Sequence, residues 1–383
     1  MKKRRILFVT ERRADYSRLK PILELARKSS KLEIHIVATG LHFLKSFGET
    51  KQALADDGFK IDLELPVYRD EEADNGEMMA HAFGEFVIKL TGAVREIKPD
   101  LVFCGFDLGA HLAAAVVAMN MNIPVAHIQG GERSGTIDEV LRHATTKFAH
   151  LHFAATEQSR KRIIKLGEDP KYVFLVGSPS LDNIHHTKYV AKSVIAKKFG
   201  LDPCRPLIVF LQHPVTTEVE KVERQINESI VALQAVVKKL DAQVFAVYSN
   251  NDAGGKRIVA HLNDSGFITC PHVSVEDFLR LLKVADALVG NSSAGIHEAP
   301  SFGLPTVNIG SRQQFRERGV NVIDAPNERR AIEKAIEKAL TDNSFRARVK
   351  KGKNPYDQGD TAKQVVKILE TVVMPPVQKV ITY

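Results

Sequence analysis

Short apolar runs alternate with amphipathic stretches from one end of the chain to the other, the rhythm of repeated strand–helix–strand units. Ile6–Thr10, Glu33–Thr39, Leu101–Gly105, Val125–Ile128, Leu151–Ala155 and Val173–Val176 read as buried strands. Between them lie helical patterns at residues 17–28, 47–57, 77–98, 110–119 and 156–166, with an irregular acidic passage at 68–76. Thr156 stands where an N-cap belongs and Gly167 where a helix would stop. The pattern restarts at Pro206–Leu211, followed by a helix over 218–240, a strand at 244–248, a helix at 275–285, and strands at 287–289 and 306–309. A last amphipathic helix covers 360–373. No repeat of 20–50 residues marks a solenoid.

Alternation of this kind predicts an α/β chain of two doubly wound, Rossmann-like domains of the GT-B type, with a cleft between them. The expected division is residues 1–182, residues 183–358, and a C-terminal helical segment, 359–383, that crosses back to the first domain. A length of 383 residues with 44% hydrophobic content fits two domains of roughly 150 residues or more.

Chemistry is expected on the loops that follow strands. The stretch Pro124–His152 joins a strand to the Gly-rich loop Gln129–Gly135 and then to a helix with an acidic first turn. Thr136 and Glu139 have the spacing of a capping box, which leaves Asp138 in that first turn. Asp107 stands just past a strand end, and Glu132 lies in the loop. These carboxylates suit proton transfer at carbon, and the helix dipole explains a first-turn carboxylate equally well. Arg142 and His143, one turn on, could pair with them. Far down the chain, Gly290-Asn291-Ser292-Ser293 opens a helix after a strand, as a phosphate site or as an ordinary Ser cap. Glu298 could take ribose hydroxyls, and Arg312 could add charge near a diphosphate. His213, before Pro214, is a candidate acid, base or phosphate ligand, or a structural histidine. Arg13, Asp15 and Ser17 lie in the first strand-to-helix loop as site residues or as a cap and a surface charge.

Composition narrows the classes. The net charge of +8 is scattered over helix faces, without the basic patch and interleaved aromatics of a nucleic-acid binder, so a mildly basic enzyme with an anionic substrate is the simpler reading. No apolar run approaches the ~18 residues of a membrane span. Cys104, Cys204 and Cys270 are far apart and show no metal-ligand spacing, which suggests a reducing, cytoplasmic setting and no structural zinc. Neither a GxxxxGK[ST] loop nor a GxGxxG fingerprint is present, which removes the usual support for ATP or NAD.

Taken in order, Arg13-Ala14-Asp15-Tyr16-Ser17, Gly130-Gly131-Glu132, Ser134 to Glu139, Arg142-His143-Ala144, Leu211 to Thr217, Asn250 with Asp252-Ala253-Gly254, Gly290 to Ser293, and Gly310 to Gln313 resemble the hydrolysing UDP-N-acetylglucosamine 2-epimerase family of sialic-acid pathways. The resemblance runs nearly end to end. It implies anti elimination of UDP to a 2-acetamidoglucal, then hydration to free N-acetylmannosamine. It implies that Arg13, Ser17, His42, Arg142, His143, Asn250, Ser292, Ser293, Glu298 and Arg312 bind the UDP-sugar, and that Asp107, Gln129, Glu132, Asp138 and His213 lie in the reaction zone. No metal or other cofactor is implied, and a homodimer or homotetramer is. A UDP- or GDP-linked 2,4-diacetamido sugar is an alternative substrate; a glycosyltransferase and a silent nucleotide-sugar binder are alternative functions. Two positions depart from the family pattern. Phe106-Asp107-Leu108 stands for Gly-Asp-Arg, and Gln129 stands where the best-known members have Glu, although an amide cannot carry a proton at neutral pH.

Overall fold

The computed structural model describes residues 2–72, 75–250 and 252–382; Ala73 and Asp74 of the acidic passage, and Asn251, lie outside them. The chain divides into two compact units. The first comprises residues 1–132, 137–182 and 356–383, and the second residues 133–136 and 183–355.

In the first unit, seven strands are β1 (Arg4–Thr10), β2 (Leu32–Thr39), β3 (Leu63–Leu65), β4 (Leu101–Gly105), β5 (Val125–Ile128), β6 (Leu151–Ala154) and β7 (Val173–Leu175). They form one parallel sheet in the order β3-β2-β1-β4-β5-β6-β7. A sheet buried on both faces needs apolar residues at nearly every strand position. Leu101 to Cys104 and Leu151, Phe153 and Ala154 are accordingly fully enclosed. The helices are α1 (Arg13–Ala26), α2 (Gln52–Asp56), α3 (Gly76–Ile97), α4 (Gly109–Asn120), α5 (Asp138–Phe148) and α6 (Glu157–Lys165). Asn75 caps α3 by accepting from Met78 N, and Thr156 caps α6 by accepting from Ser159 N.

The second unit repeats the plan. Short α7 (Ser180–His186) and α8 (Lys192–Phe199) lead to β8 (Leu207–Leu211), α9 (Val222–Leu240), β9 (Gln243–Val247), α10 (Gly255–Asn263), β10 (Ile268–Cys270) and α11 (Val275–Val284). Then come β11 (Ala287–Gly290), α12 (Ala294–His297), β12 (Thr306–Ile309), β13 (Val322–Ala325), α13 (Arg329–Thr341) and α14 (Asn343–Lys351). The six parallel strands run β10-β9-β8-β11-β12-β13. The chain then returns to the first unit, where Ala362, Val365, Val366 and Leu369 of α15 (Thr361–Thr371) share a core with Leu19, Ile22 and Leu23 of α1. Asp182 anchors the start of α15, accepting from the backbone amides of Thr361 at 3.0 Å and Ala362 at 2.7 Å.

Beyond α15 the tail is pinned to the same unit. His150 accepts from Val125 N at Nδ1, so its Nε2 carries the proton and donates to Val377 O at 3.1 Å. Lys379 and Lys147 close on the buried Glu168 at 2.6 and 2.7 Å, with His152 Nε2 at 3.1 Å. Burial opposes the charge on Glu168, but these partners hold its carboxyl down at about 2.

Several local expectations change. The region read as a helix over 47–57 holds only the end of a 3-10 turn, Lys45–Phe47, and the five-residue α2, and another 3-10 turn, Gly40–Phe43, lies before it. The first helix begins at Arg13 rather than Ser17, because Asp15 already organises its first turn. Residues 219–221 form a 3-10 turn before α9. The amphipathic run of α13, with α14 and β13, fills a stretch to which the sequence reading assigned nothing. The helix α5 starts at Asp138, with Ile137 at the cap position and no side-chain cap bond from it, and Glu139 pairs with Arg142 and His143. Among the described residues no helix is long and apolar enough to cross a membrane.

Candidate active site

Both sheets are parallel with a strand order that reverses beside the central strand, and ligands of such sheets sit beyond the carboxyl ends of the strands at that switch point. In the first unit the switch lies between β1 and β4, and in the second between β8 and β11. The motif-bearing loops follow these strands or their neighbours.

After β1 the chain turns tightly into α1. Asp15, fully buried, accepts from the amides of Glu11 and Arg12 at 2.8 Å each, and from His111 Nε2 at 3.2 Å. Gly105 N donates to His111 Nδ1 at 3.0 Å, so the proton sits on Nε2 and points to the carboxylate. Burial raises the cost of charge on Asp15, yet the His111 bond and the two amides hold its carboxyl below the usual range. Asp15 is therefore the internal brace of the loop that carries Arg13, and Ser17, a turn further on, donates to Ala14 O at 2.8 Å. His42 is fully enclosed, with Thr10 and Thr50 hydroxyls at 2.9 Å on its two ring nitrogens. Burial pushes its imidazole toward the neutral form.

At the ends of β4 and β5, two residues other than glycine adopt left-handed backbone: Phe106 at φ 67° and Gln129 at φ 59°. They are neighbours in the sheet, since Phe106 N donates to Ile128 O at 3.0 Å. Asp107 follows the first. Arg142, 1% exposed, reaches back from α5 with Nη2 at 2.5 Å from Asp107 Oδ2, and with Nη1 at 3.1 Å from Glu132 O and 3.3 Å from Glu139 Oε2. His143 Nε2 lies 3.0 Å from Glu139 Oε1. Gln129 Nε2 donates to Glu132 Oε1 at 3.0 Å. Gly131 is obligatory, because it sits at φ 75° and a Cβ there would lie 2.4 Å from Ser159 O. Arg162 holds the Gly131 carbonyl. Behind this loop His127 contacts Thr146 Oγ1 and Phe106 O at 3.2 and 3.3 Å, and burial takes its imidazole down to about 3. Asp138 is the first residue of α5 and half-buried. The structure thus brings Asp107, Gln129, Glu132, Glu139, Arg142 and His143 into one wired group.

In the second unit, Asn291 closes a reciprocal pair with the backbone of His213, accepting from its N at 2.7 Å and donating to its O at 2.8 Å. His213 Nδ1 accepts from Asn250 N at 3.2 Å, which leaves the proton on Nε2. Asn250 Nδ2 donates to Asp252 Oδ2 at 2.6 Å, and Arg312 Nη2 is 3.8 Å from that carboxylate. Arg312 Nη1 and Gln313 Nε2 both reach Asn291 O, at 3.3 and 2.9 Å. Gly290, at φ 130°, allows the β11 turn to pass against β8, where a Cβ would lie 2.1 Å from Leu211 O. Ser292 and Ser293 precede α12, which has only four residues, so hydroxyls and backbone amides rather than a long helix dipole are available to a phosphate. Glu298 links α12 to the 3-10 turn Ala299–Phe302, and its buried Oε2 has no partner among the described residues. Residues 133–136 join this group, with Gly135 N donating to Arg312 O at 3.0 Å.

Sequence reasoning missed His111, His127 and Gln313. His111 lies 96 residues from its partner Asp15, and no local spacing announces it. No group of three or more His, Cys, Asp or Glu side chains among the described residues is arranged to hold a metal ion.

Comparison with known proteins adds a second line. A family model described as UDP-N-acetylglucosamine 2-epimerase matches residues 24–370. The chain is 35% identical over 373 residues to a UDP-N,N'-diacetylbacillosamine 2-epimerase (hydrolyzing) of Legionella pneumophila, covering 96% of each chain. It is 33% identical over 376 residues to a UDP-N-acetylglucosamine 2-epimerase of Neisseria meningitidis, covering 97% of this chain and 96% of the other. In fold it is similar to the crystal structure of a Neisseria meningitidis UDP-GlcNAc 2-epimerase bound to UDP-GlcNAc, with a TM-score of 0.81, 18% identity, and coverage of 95% and 99%.

Proposed function

Because the chain belongs to the UDP-N-acetylglucosamine 2-epimerase family, we propose that it is a hydrolysing 2-epimerase of a UDP-linked 2-acetamido sugar, with UDP-N-acetylglucosamine as its first substrate. The observation that carries this reading is the group of carboxylates at the ends of β4 and β5, with Asp107 fixed by Arg142 and Glu132 joined to Gln129.

The chemistry needs such a group. In the anti elimination a base takes the C2 proton, the C1–O bond breaks, and UDP departs with its electron pair. Water then adds at C1 while a proton returns to C2 from the opposite face, which inverts that carbon. Two proton carriers on two faces of the ring are required, and an amide at position 129 cannot be one of them. Asp107, Glu132, Asp138 and His213 supply the candidates. The nucleotide falls to Arg13, Ser17, Asn250, Ser292, Ser293, Glu298 and Arg312, whose hydroxyls, amides and guanidinium groups suit phosphate and whose carboxylate suits paired ribose hydroxyls. His143 is kept as a substrate contact. His42 and Arg142, both enclosed, act from behind by holding neighbouring groups.

A UDP-linked 2,4-diacetamido sugar is the second reading. It is favoured by the Legionella relative, which is named for such a substrate, and by the changes at Leu108 and Gln129, residues that adjoin or belong to the carboxylate group. Incubating the pure protein with each nucleotide sugar in deuterated water tests both. UDP and C2-deuterated N-acetylmannosamine from UDP-N-acetylglucosamine are the expected products. Release from the diacetamido substrate alone moves the assignment to that sugar, and recovery of both sugars intact overturns it.

A further inference from the structure

The chain changes faces where β4 ends. Leu101 and Phe103 pack into the core shared with α1 and α15, while Val102 and Cys104 pack into the core on the other side of the sheet. Strand alternation would put residue 106 with Val102 and Cys104. Phe106 instead joins Leu101 and Phe103, because its backbone turns left-handed at φ 67°. That conformation is unfavourable for a bulky residue, whereas glycine would adopt it freely. What Phe106 has and glycine lacks is a ring, and the residue is 3% exposed.

Two elements hold that ring. The Arg18 guanidinium of α1 lies over its face at 5.1 Å from the centroid, within cation–π range. His111 of α4 meets it edge-on, with centroids 5.8 Å apart and planes at 90°. His111 is also the residue that lies 3.2 Å from Asp15, so the ring touches the brace of the loop after β1. The backbone is held as firmly. Phe106 N donates to Ile128 O at 3.0 Å, and Phe106 O lies 3.3 Å from His127 Nε2. Asp107 follows in the same turn, and its carboxylate meets Arg142 Nη2 at 2.5 Å. With the ring, the amide and the carbonyl of residue 106 all tied, the direction in which the chain enters Asp107 is fixed as well.

We propose that Phe106 is a positioning residue that sets the Asp107 carboxylate as a proton carrier of the reaction. This rests on the 2-epimerase reading above. Phe106 takes no part in the chemistry and acts only through its neighbour. Whichever of the two proton transfers Asp107 makes, its carboxylate must meet the sugar at a fixed distance and angle, and a carboxylate that can swing loses that advantage. The ring clamped between Arg18 and His111 turns a bend that glycine would leave loose into a rigid one.

The test is a double-mutant cycle between F106A and D107N, run with whichever nucleotide sugar the wild type turns over. D107N is expected to lower kcat by about 100-fold or more. F106A is expected to lower kcat by about 10-fold or more with KM within about threefold, but by no more than about twofold in the D107N background. F106L keeps the apolar bulk without the aromatic face; it stands in if F106A does not fold, and should show the same coupling at about threefold or more. F86L, at a buried phenylalanine of α3, is the control: it should lower stability and leave kcat within about twofold. Arginine-labelled NMR of the free proteins reads the geometry without turnover. The Arg142 Nη2 resonance, assigned by its loss in R142K, should shift in F106A and F106L and stay in place in F86L. A fall in kcat that is equal with and without the Asp107 carboxylate, or an Arg142 resonance that both Phe106 variants leave unmoved, overturns the proposal. Wild-type protein inactive on every nucleotide sugar sinks the 2-epimerase reading and the catalytic use of Phe106 with it, while the Arg142 resonance still decides whether Phe106 sets Asp107.

Discussion

Arg142 Nη2 lies 2.5 Å from Asp107 Oδ2, with the guanidinium 1% exposed and the carboxylate 22% exposed. An almost fully enclosed cation thus holds a carboxylate whose outer side remains open to solvent. Removing the cation deletes the Arg142 ion pairs to Asp107 and Glu139 and leaves the Glu132 carbonyl without this donor. Arg142→Ala is expected to cost about 3–5 kcal/mol of stability, read by urea unfolding, and to lower kcat/KM by about 100-fold or more. Arg142→Lys restores charge without the planar fork and should recover only part of either loss. A stability loss below about 1 kcal/mol, the range of a surface pair, would show that the network is not structural.

Asp138 and Arg312 should separate chemistry from nucleotide binding. Asp138→Asn keeps the shape at the start of α5 and removes the charge, so turnover should vanish while UDP affinity, measured by calorimetry, stays within about twofold. Arg312→Ala should do the reverse to binding: a charge-assisted hydrogen bond worth about 1.5–3 kcal/mol corresponds to roughly 10–100-fold weaker UDP binding. Loss of UDP binding in Asp138→Asn would make Asp138 a structural residue of the helix start.

The buried histidines set an acid limit on stability. Burial lowers His127 from 6.5 to about 3 in the folded protein, so between those values the unfolded chain binds the proton and the native state does not. Stability therefore falls as pH drops below about 6.5, by roughly 1.4 kcal/mol per pH unit for each such histidine, until the native group itself titrates. His42 is shifted in the same direction. Denaturant unfolding between pH 7 and pH 5 should show this slope, and His127→Gln should reduce it by about one proton's share. An unchanged slope would place the titration elsewhere.

Much of the fold was legible because its cause is local. Strands buried on both faces must be apolar throughout, so β1, β4, β5 and β8 announce themselves, and glycines at the turns after β5 and β11 mark where backbone passes too close for a Cβ. The same pattern foretold the α/β class and put Asp107, Glu132, His213 and Arg312 on loops after strands, while the membership of a 2-epimerase family came from the resemblance of the motifs. Local rules failed where distant atoms compete. No spacing announced that residues 133–136 pack with the second unit, or that Glu139 pairs with both Arg142 and His143. Asp15, read as a site residue or a cap, does cap α1, but only folding adds His111 to it across 96 residues.

The sequence by itself determined the order of strands and helices, the chemical groups at the strand ends, and the presence of an amide at position 129, since each depends on residue identity and short-range geometry. Only the tertiary structure decided how those groups are paired. The left-handed turns at Phe106 and Gln129, the reach of Arg142 to Asp107 and the donation from Gln129 to Glu132 depend on where neighbouring strands end in space. Backbone strain and buried charge are tolerated there because the surrounding sheet fixes the partners.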